Sequence, residues 1–179
     1  MSTLSYLLRE NHKFMRNPLY AKQRSQTKGQ QSPIATVLTC SDSRLSPELI
    51  FSQGIGSLFV IRNAGNVCNT DAIASAEYAY SVLKSKVLIV MGHESCGAVE
   101  AALGNGKHTP AIDNLIYQIR TNIEKGMQAA PHEEAPIVLN AIGTKQTIFN
   151  RSSMLRNATD LEVYCAYYQL DGEVFIYDA

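Results

Sequence analysis

Three short runs of aliphatic, largely β-branched residues, 34–39 (IATVLT), 57–62 (SLFVIR) and 86–91 (KVLIVM), each break off at a polar or glycine-rich cluster: CSDSR, NAGN and GHESCG. Their apolar character is continuous rather than alternating, the pattern of strands covered on both faces and therefore of a parallel sheet. Parallel strands need crossover connections, and helix-periodic stretches supply them. Residues 71–83 place Ile73, Ala76, Tyr80 and Leu83 at helical spacing with Asp71 as a cap. Residues 96–103, 112–123 and 136–149 read as further helices, the second with Leu115, Ile116 and Ile119 on one face. Residues 161–170 (LEVYCAYYQL), the Asp171-Gly172 turn and 173–177 (EVFIY) read as a hairpin, which adds an antiparallel edge. Right-handed crossovers then give an α/β fold: a parallel four-stranded sheet in the order 2-1-3-4 with an antiparallel edge strand, helices on both faces and an N-terminal helical arm. Ligands in such sheets bind beyond the carboxyl ends of the strands, where the order reverses. Cys40 and His93 stand at two of those ends.

The chain of 179 residues suits one domain, an arm over 1–30 and a core over 31–179. Sixteen basic and sixteen acidic side chains give a formal charge of zero, so no general attraction to nucleic acid or an anionic membrane is expected. The charge is unevenly distributed, with Arg9, Lys13, Arg16, Lys22, Arg24 and Lys28 against only Glu10 in the first 30 residues. Such an arm complements the acidic remainder and is expected to dock on its own body or on a partner subunit. No apolar stretch reaches the roughly 18 residues of a membrane span, and the polar start MSTLSYLLRENHK lacks a signal-peptide core; a cytoplasmic address is the expectation. Four cysteines at 40, 68, 96 and 165, with no closely spaced pair, read as reduced thiols. Of these, Cys68 and Cys165 read as packing residues.

Cys40, Asp42, Arg44, His93 and Cys96 converge on one crevice in this arrangement. Two thiolates and an imidazole suit Zn²⁺ and leave its fourth tetrahedral position open, the arrangement of a catalytic site. A helix beginning at Cys96 favours the thiolate there through its free N–H groups. Two thiolates cancel the charge of the metal, so a further group must help to activate water. Asp42 can accept the proton of the nucleophile and aim its lone pair while Arg44 clamps the carboxylate, or Asp42 can itself ligate the metal.

Cys40-x-Asp42-x-Arg44 followed by His93-x-x-Cys96-Gly97 resembles the signature of the β-class carbonic anhydrases. The segments GQQSP, FVIRNAGN, SAEYA, GHESCGAV and CAYYQLDGEV resemble that family in order and spacing, from about residue 28 onward. The resemblance implies one zinc ion per chain on Cys40, His93 and Cys96, an Asp42–Arg44 catalytic dyad, and reversible hydration of carbon dioxide to bicarbonate. It further implies Gln31 as a bicarbonate hydrogen-bond partner, Phe59, Ala64 and Tyr78 as an apolar substrate pocket, and Gly92 beside the metal ligands. A homo-oligomer built from dimers, a homodimer or tetramer, is implied, with the arm wrapped around a neighbouring subunit. Some branches carry a Trp three residues before the first zinc Cys; Val37 stands there, which points to a zinc open to water. Rival readings are a carbon disulfide or carbonyl sulfide hydrolase on the same zinc, a non-catalytic zinc-binding module, and an enzyme using Cys40 as a nucleophile activated by His93.

Overall fold

The computed structural model describes residues 2–133 and 135–177; the ends of the expected core segment, 178–179, residue 1 of the arm and residue 134 lie outside the described residues. Strands β1 (Ala35–Cys40), β2 (Leu58–Asn63), β3 (Val87–His93), β4 (Glu162–Tyr168) and β5 (Val174–Tyr177) form one sheet in the order β2-β1-β3-β4-β5. The first four are parallel and β5 runs antiparallel to β4, as the apolar runs and the hairpin imply. All six residues of β1 are buried, which is why its sequence shows no alternation. On one face Leu38, Ile61, Leu88 and Val90 pack with residues of α4 (Thr70–Ser81), α7 (Pro136–Arg151) and α8 (Ser153–Arg156). On the other, Val37, Met91 and Ala166 pack with Leu45 and with the half-buried Ile50 and Phe51 around the short α3 (Pro47–Ile50).

Several boundaries differ from the sequence expectation, three of them for a clear local reason. Asn69, not Asp71, caps α4 by accepting from the Ala72 N–H at 2.9 Å, and Asp71 lies in the first turn, where its charge complements the helix dipole. Helix α6 (Pro110–Ala129) is longer than 112–123 because Thr109 caps it and Pro110 opens it. The hairpin loop spans residues 169–173, closed by Gln169 N–H to Glu173 O at 2.9 Å and Gly172 N–H to Gln169 O at 3.0 Å, so Asp171-Gly172 lies inside a wider turn.

Helices α6 and α7 pack tightly enough that a Cβ at Gly126 would collide with the backbone of Leu139, and one at Gly143 with the backbone of Asn122. Helix α5 (Gly97–Leu103) lies between α6 and the sheet ends, and Cys40, Cys96, Val67, Val99, Ile116 and Ile119 form a cluster there. The arm forms α1 (Thr3–Arg16) and α2 (Pro18–Gln26), neither with a buried residue. Contact with the body comes near the end of α2, where Gln23 Oε1 accepts from Ile55 N–H at 3.3 Å; α1 leaves Leu4, Leu7, Leu8 and Met15 exposed instead of docking on its own body.

Candidate metal centre

Cys40 is the last residue of β1 and His93 the last of β3, and the register Thr39↔Met91 brings these neighbouring strands out at the same level. The chain then turns through Ser95, at φ 51, and delivers Cys96 as the N-cap residue of α5. One ligating atom from each of Cys40, His93 and Cys96 lies within 4.8 Å of the others, all three residues being buried. The two sulfurs are 4.0 Å apart.

The chemistry of this cluster calls for a cation. His93 Nδ1 pairs with the Glu94 carbonyl at 2.9 Å; a carbonyl only accepts, so Nδ1 carries the proton and the lone pair of Nε2 points inward. Nε2 is buried and has no hydrogen-bond partner, a costly state for a polar atom unless something binds it. The Cys96 thiol donates to the Cys40 sulfur, which holds Cys40 well below its ordinary value; the His93 ring and the Gly65 N–H, 3.3 Å from the sulfur, act in the same direction. The same bond, together with burial, pushes Cys96 up. A divalent ion placed among these atoms would satisfy both sulfurs and Nε2. Two soft sulfurs and one imidazole nitrogen are a zinc donor set with a corner to spare.

Asp42 lies beside that corner without joining the ligands, its Oδ2 3.9 Å from His93 Nε2. Its Oδ1 accepts from the Arg44 backbone N–H and Nε, both at 2.9 Å, and its Oδ2 from Nη2 at 2.7 Å. This bidentate grip holds the carboxyl well below the usual range and fixes its direction. Arg44 Nη2 also donates to the Ser95 carbonyl at 3.0 Å, joining the β1 loop to the β3 loop. Arg62, which sequence reasoning passed over, donates to the Cys40 carbonyl at 3.2 Å and the Asp42 carbonyl at 2.8 Å and pins the loop from below. A lone Arg at the end of an apolar run was the only signal for it.

The remaining expected residues are dispersed. Ala64 is exposed and opens the 3₁₀ turn Ala64–Asn66 that carries Gly65 to Cys40, and Gly92 is buried, a Cβ there meeting Ile137 Cγ2 at 2.8 Å. Phe59 pairs with Thr36 while Cys40 pairs with Asn63, four positions further, which places Phe59 about 13 Å along the strand from the ligand end. Tyr78, 45% exposed, packs near Phe59 with ring centroids 6.2 Å apart. Phe59 borders a cleft of about 360 Å³ along β2 and α4, lined also by Asn63 and Asp71. Gln31 is exposed and precedes β1, at the end of the sheet opposite the metal ligands. Within one chain the structure therefore gathers Cys40, Asp42, Arg44, His93 and Cys96, and leaves Gln31, Phe59 and Tyr78 apart from them.

A family profile described as carbonic anhydrase matches residues 35–174. A carbonic anhydrase of Mycolicibacterium smegmatis is 44% identical over 153 residues, covering 80% of this chain and 74% of that one. Carbonic anhydrase 2 of Mycobacterium tuberculosis is 49% identical over 73 residues, 41% of this chain and only 35% of that protein's length. Among solved structures, the β-carbonic anhydrase CcaA superposes with a TM-score of 0.82 at 25% identity, over 99% of this chain and 89% of that one. The two tetrameric β-carbonic anhydrases of Sordaria macrospora are represented at a TM-score of 0.77 and 24% identity, over 99% and 98% of the chains, a likeness of fold.

Proposed function

The chain belongs to the carbonic anhydrase family, and on that premise we propose that it catalyses the reversible hydration of carbon dioxide to bicarbonate and a proton, with one Zn²⁺ held by Cys40, His93 and Cys96. The observation that carries this reading is the unpartnered, buried Nε2 of His93 facing two sulfurs, with a clamped carboxylate beside the open corner. Zinc held there supplies Lewis acidity that makes a water molecule acidic enough to attack carbon dioxide near neutral pH. Asp42 Oδ2, the carboxylate oxygen that faces the ligands, accepts a hydrogen bond from the attacking water and turns the water's remaining lone pair toward the substrate. Arg44 keeps Asp42 ionised and fixes its direction, which would leave the carboxylate free to accept from a water rather than to bind a zinc ion held by the three ligands.

Gln31, Phe59 and Tyr78 serve the substrate pocket of a second copy rather than of their own chain, with Ala64 and Gly92 contributing from within. Their distance from the ligands in one chain supports this, as do the exposed apolar residues of α1. The same features support an oligomer built from dimers, a homodimer or a tetramer of the kind named for the Sordaria macrospora enzymes. No described helix is long and apolar enough to cross a membrane; four cysteines without a disulfide among them suit a reducing compartment such as the cytoplasm.

Stopped-flow carbon dioxide hydration across pH, with zinc quantified per chain, tests the proposal. Activity that follows zinc content, is lost on chelation and returns with added zinc is expected. Full activity after chelation would instead favour Cys40 as a nucleophile, and turnover of carbonyl sulfide with background carbon dioxide hydration would assign the site to the sulfur substrates.

A further inference from the structure

The contact between α6 and α7 buries Asn122, Asn140, Thr144 and Thr147 among apolar neighbours. Buried amides are tolerated only when partnered, and here the partners form a single file. Lys125 Nζ, a donor without acceptor capacity, donates to Thr147 Oγ1 at 2.9 Å. The Thr147 hydroxyl is thereby directed to donate to Asn122 Oδ1 at 3.0 Å. That fixes Asn122 Nδ2 as the donor to Asn140 Oδ1 at 3.4 Å and to Thr144 Oγ1 at 2.9 Å. Asn140 Nδ2 then donates to the Gly65 carbonyl at 2.9 Å and to Asn66 Oδ1 at 3.4 Å. A carbonyl only accepts, so the far end of the file demands the same orientation as the ammonium end. Gly65 in turn donates its N–H to Cys40 Sγ at 3.3 Å.

We propose that Asn140 is a positioning residue for the metal centre: locked in one amide orientation through Lys125, Thr147 and Asn122, it holds Gly65 so that the Gly65 N–H stays on the Cys40 sulfur. The carbonyl and N–H of Gly65 belong to adjacent peptide planes, so what passes along the file to Cys40 is position rather than polarisation. A hydrogen bond on a metal thiolate withdraws electron density from the sulfur and leaves the ion more electrophilic, which matters where two thiolates already offset its charge. The inference rests on the metal reading above and adds to it a group remote from the ligands in sequence.

The test compares wild-type protein with Asn140→Ala, Thr147→Val and Thr144→Val. Thr144 is as buried as Asn140 and bonds the same Asn122, but lies off the path to Gly65. Zinc affinity is read by competition with a chelator, and the sulfur by the thiolate-to-metal absorption band of the Co²⁺-substituted protein. Asn140→Ala weakens zinc binding by roughly 10–100-fold and moves the band to lower energy, since an unbonded sulfur ionises more easily. Thr147→Val moves both in the same direction, and Thr144→Val leaves both at wild-type values. Should Asn140→Ala fail to fold, Thr147→Val against Thr144→Val decides alone. Wild-type affinity and band position in Thr147→Val, or equal changes in Thr144→Val, overturn the inference while the metal reading stands. Wild-type protein that takes up no zinc overturns both.

Discussion

Replacing Gly65 by Ala isolates the geometry around the Cys40 sulfur. Gly65 has φ +68, a left-handed conformation that costs an L-residue roughly 1–2 kcal/mol. An added Cβ meets Ile119 Cδ1 at 2.6 Å and Ala98 Cβ at 3.2 Å. Ile119 is fully buried, with no free direction in which to turn, so overpacking adds roughly 1–3 kcal/mol. The two contributions give about 2–5 kcal/mol, a large part of the roughly 5–15 kcal/mol that holds a domain folded. With a urea slope of about 1–3 kcal/mol per molar, the unfolding midpoint of the zinc-loaded protein falls by about 1 M or more. Ile119→Val is the control: it removes the Cδ1 atom that the added Cβ meets at 2.6 Å, so Gly65→Ala should cost less in that background than in wild type. A Gly65→Ala loss as large in the Ile119→Val background as in wild type would refute the reasoning, because it would mean that Ile119 does not close over the turn.

Asp42→Asn keeps the shape of the side chain but loses the charge that Arg44 clamps; stopped-flow hydration should fall by on the order of 10–100-fold at unchanged zinc content, and an unchanged rate would remove Asp42 from the mechanism. The ordering of pH effects follows from the same pair. A carboxyl held low in the folded protein adds stability above its unfolded value, near 3.9, and loses it as pH falls toward the folded value. Urea midpoints of wild type and Asp42→Asn should therefore differ by a constant amount above about pH 5 and converge below about pH 4. Burial pushes the Cys68 thiol up to about 12 and Cys165 up to about 11. Iodoacetamide at a pH near 8 should leave both unlabelled in native protein and label both in urea-unfolded protein; peptide mass spectrometry reads the difference.

The strands and their order were legible because β1 and β3 are covered on both faces and so print as unbroken apolar runs. The metal ligands were legible because strand ends concentrate chemistry: Cys40 closes one run, His93 stands just beyond another, and Cys96 follows within a turn. Other features depend on packing that no local pattern records. Asn69 and Asp71 are both good caps two residues apart, and only the backbone decides between them. Asn122, Asn140, Thr144 and Thr147 are polar residues that carry no local signal of burial, yet the close approach permitted by Gly126 and Gly143 buries them. Phe59 and Tyr78 lie in the right segments for a pocket, but strand register sets Phe59, with Tyr78 packed near it, about 13 Å along the strand from the ligand end. The arm's charge imbalance says that it seeks a surface without saying which, and α1 remains uncovered on the single chain.

The register between β1 and β3 has a consequence for refolding. Slipping β3 by one residue against β1 would send the His93 ring to the opposite side of the sheet and leave the two sulfurs without their nitrogen. Metal uptake after renaturation thus counts the molecules whose central strands have threaded correctly, and a zinc column or a colorimetric zinc assay becomes a sorting step for chains that a far-ultraviolet spectrum would score as equally folded.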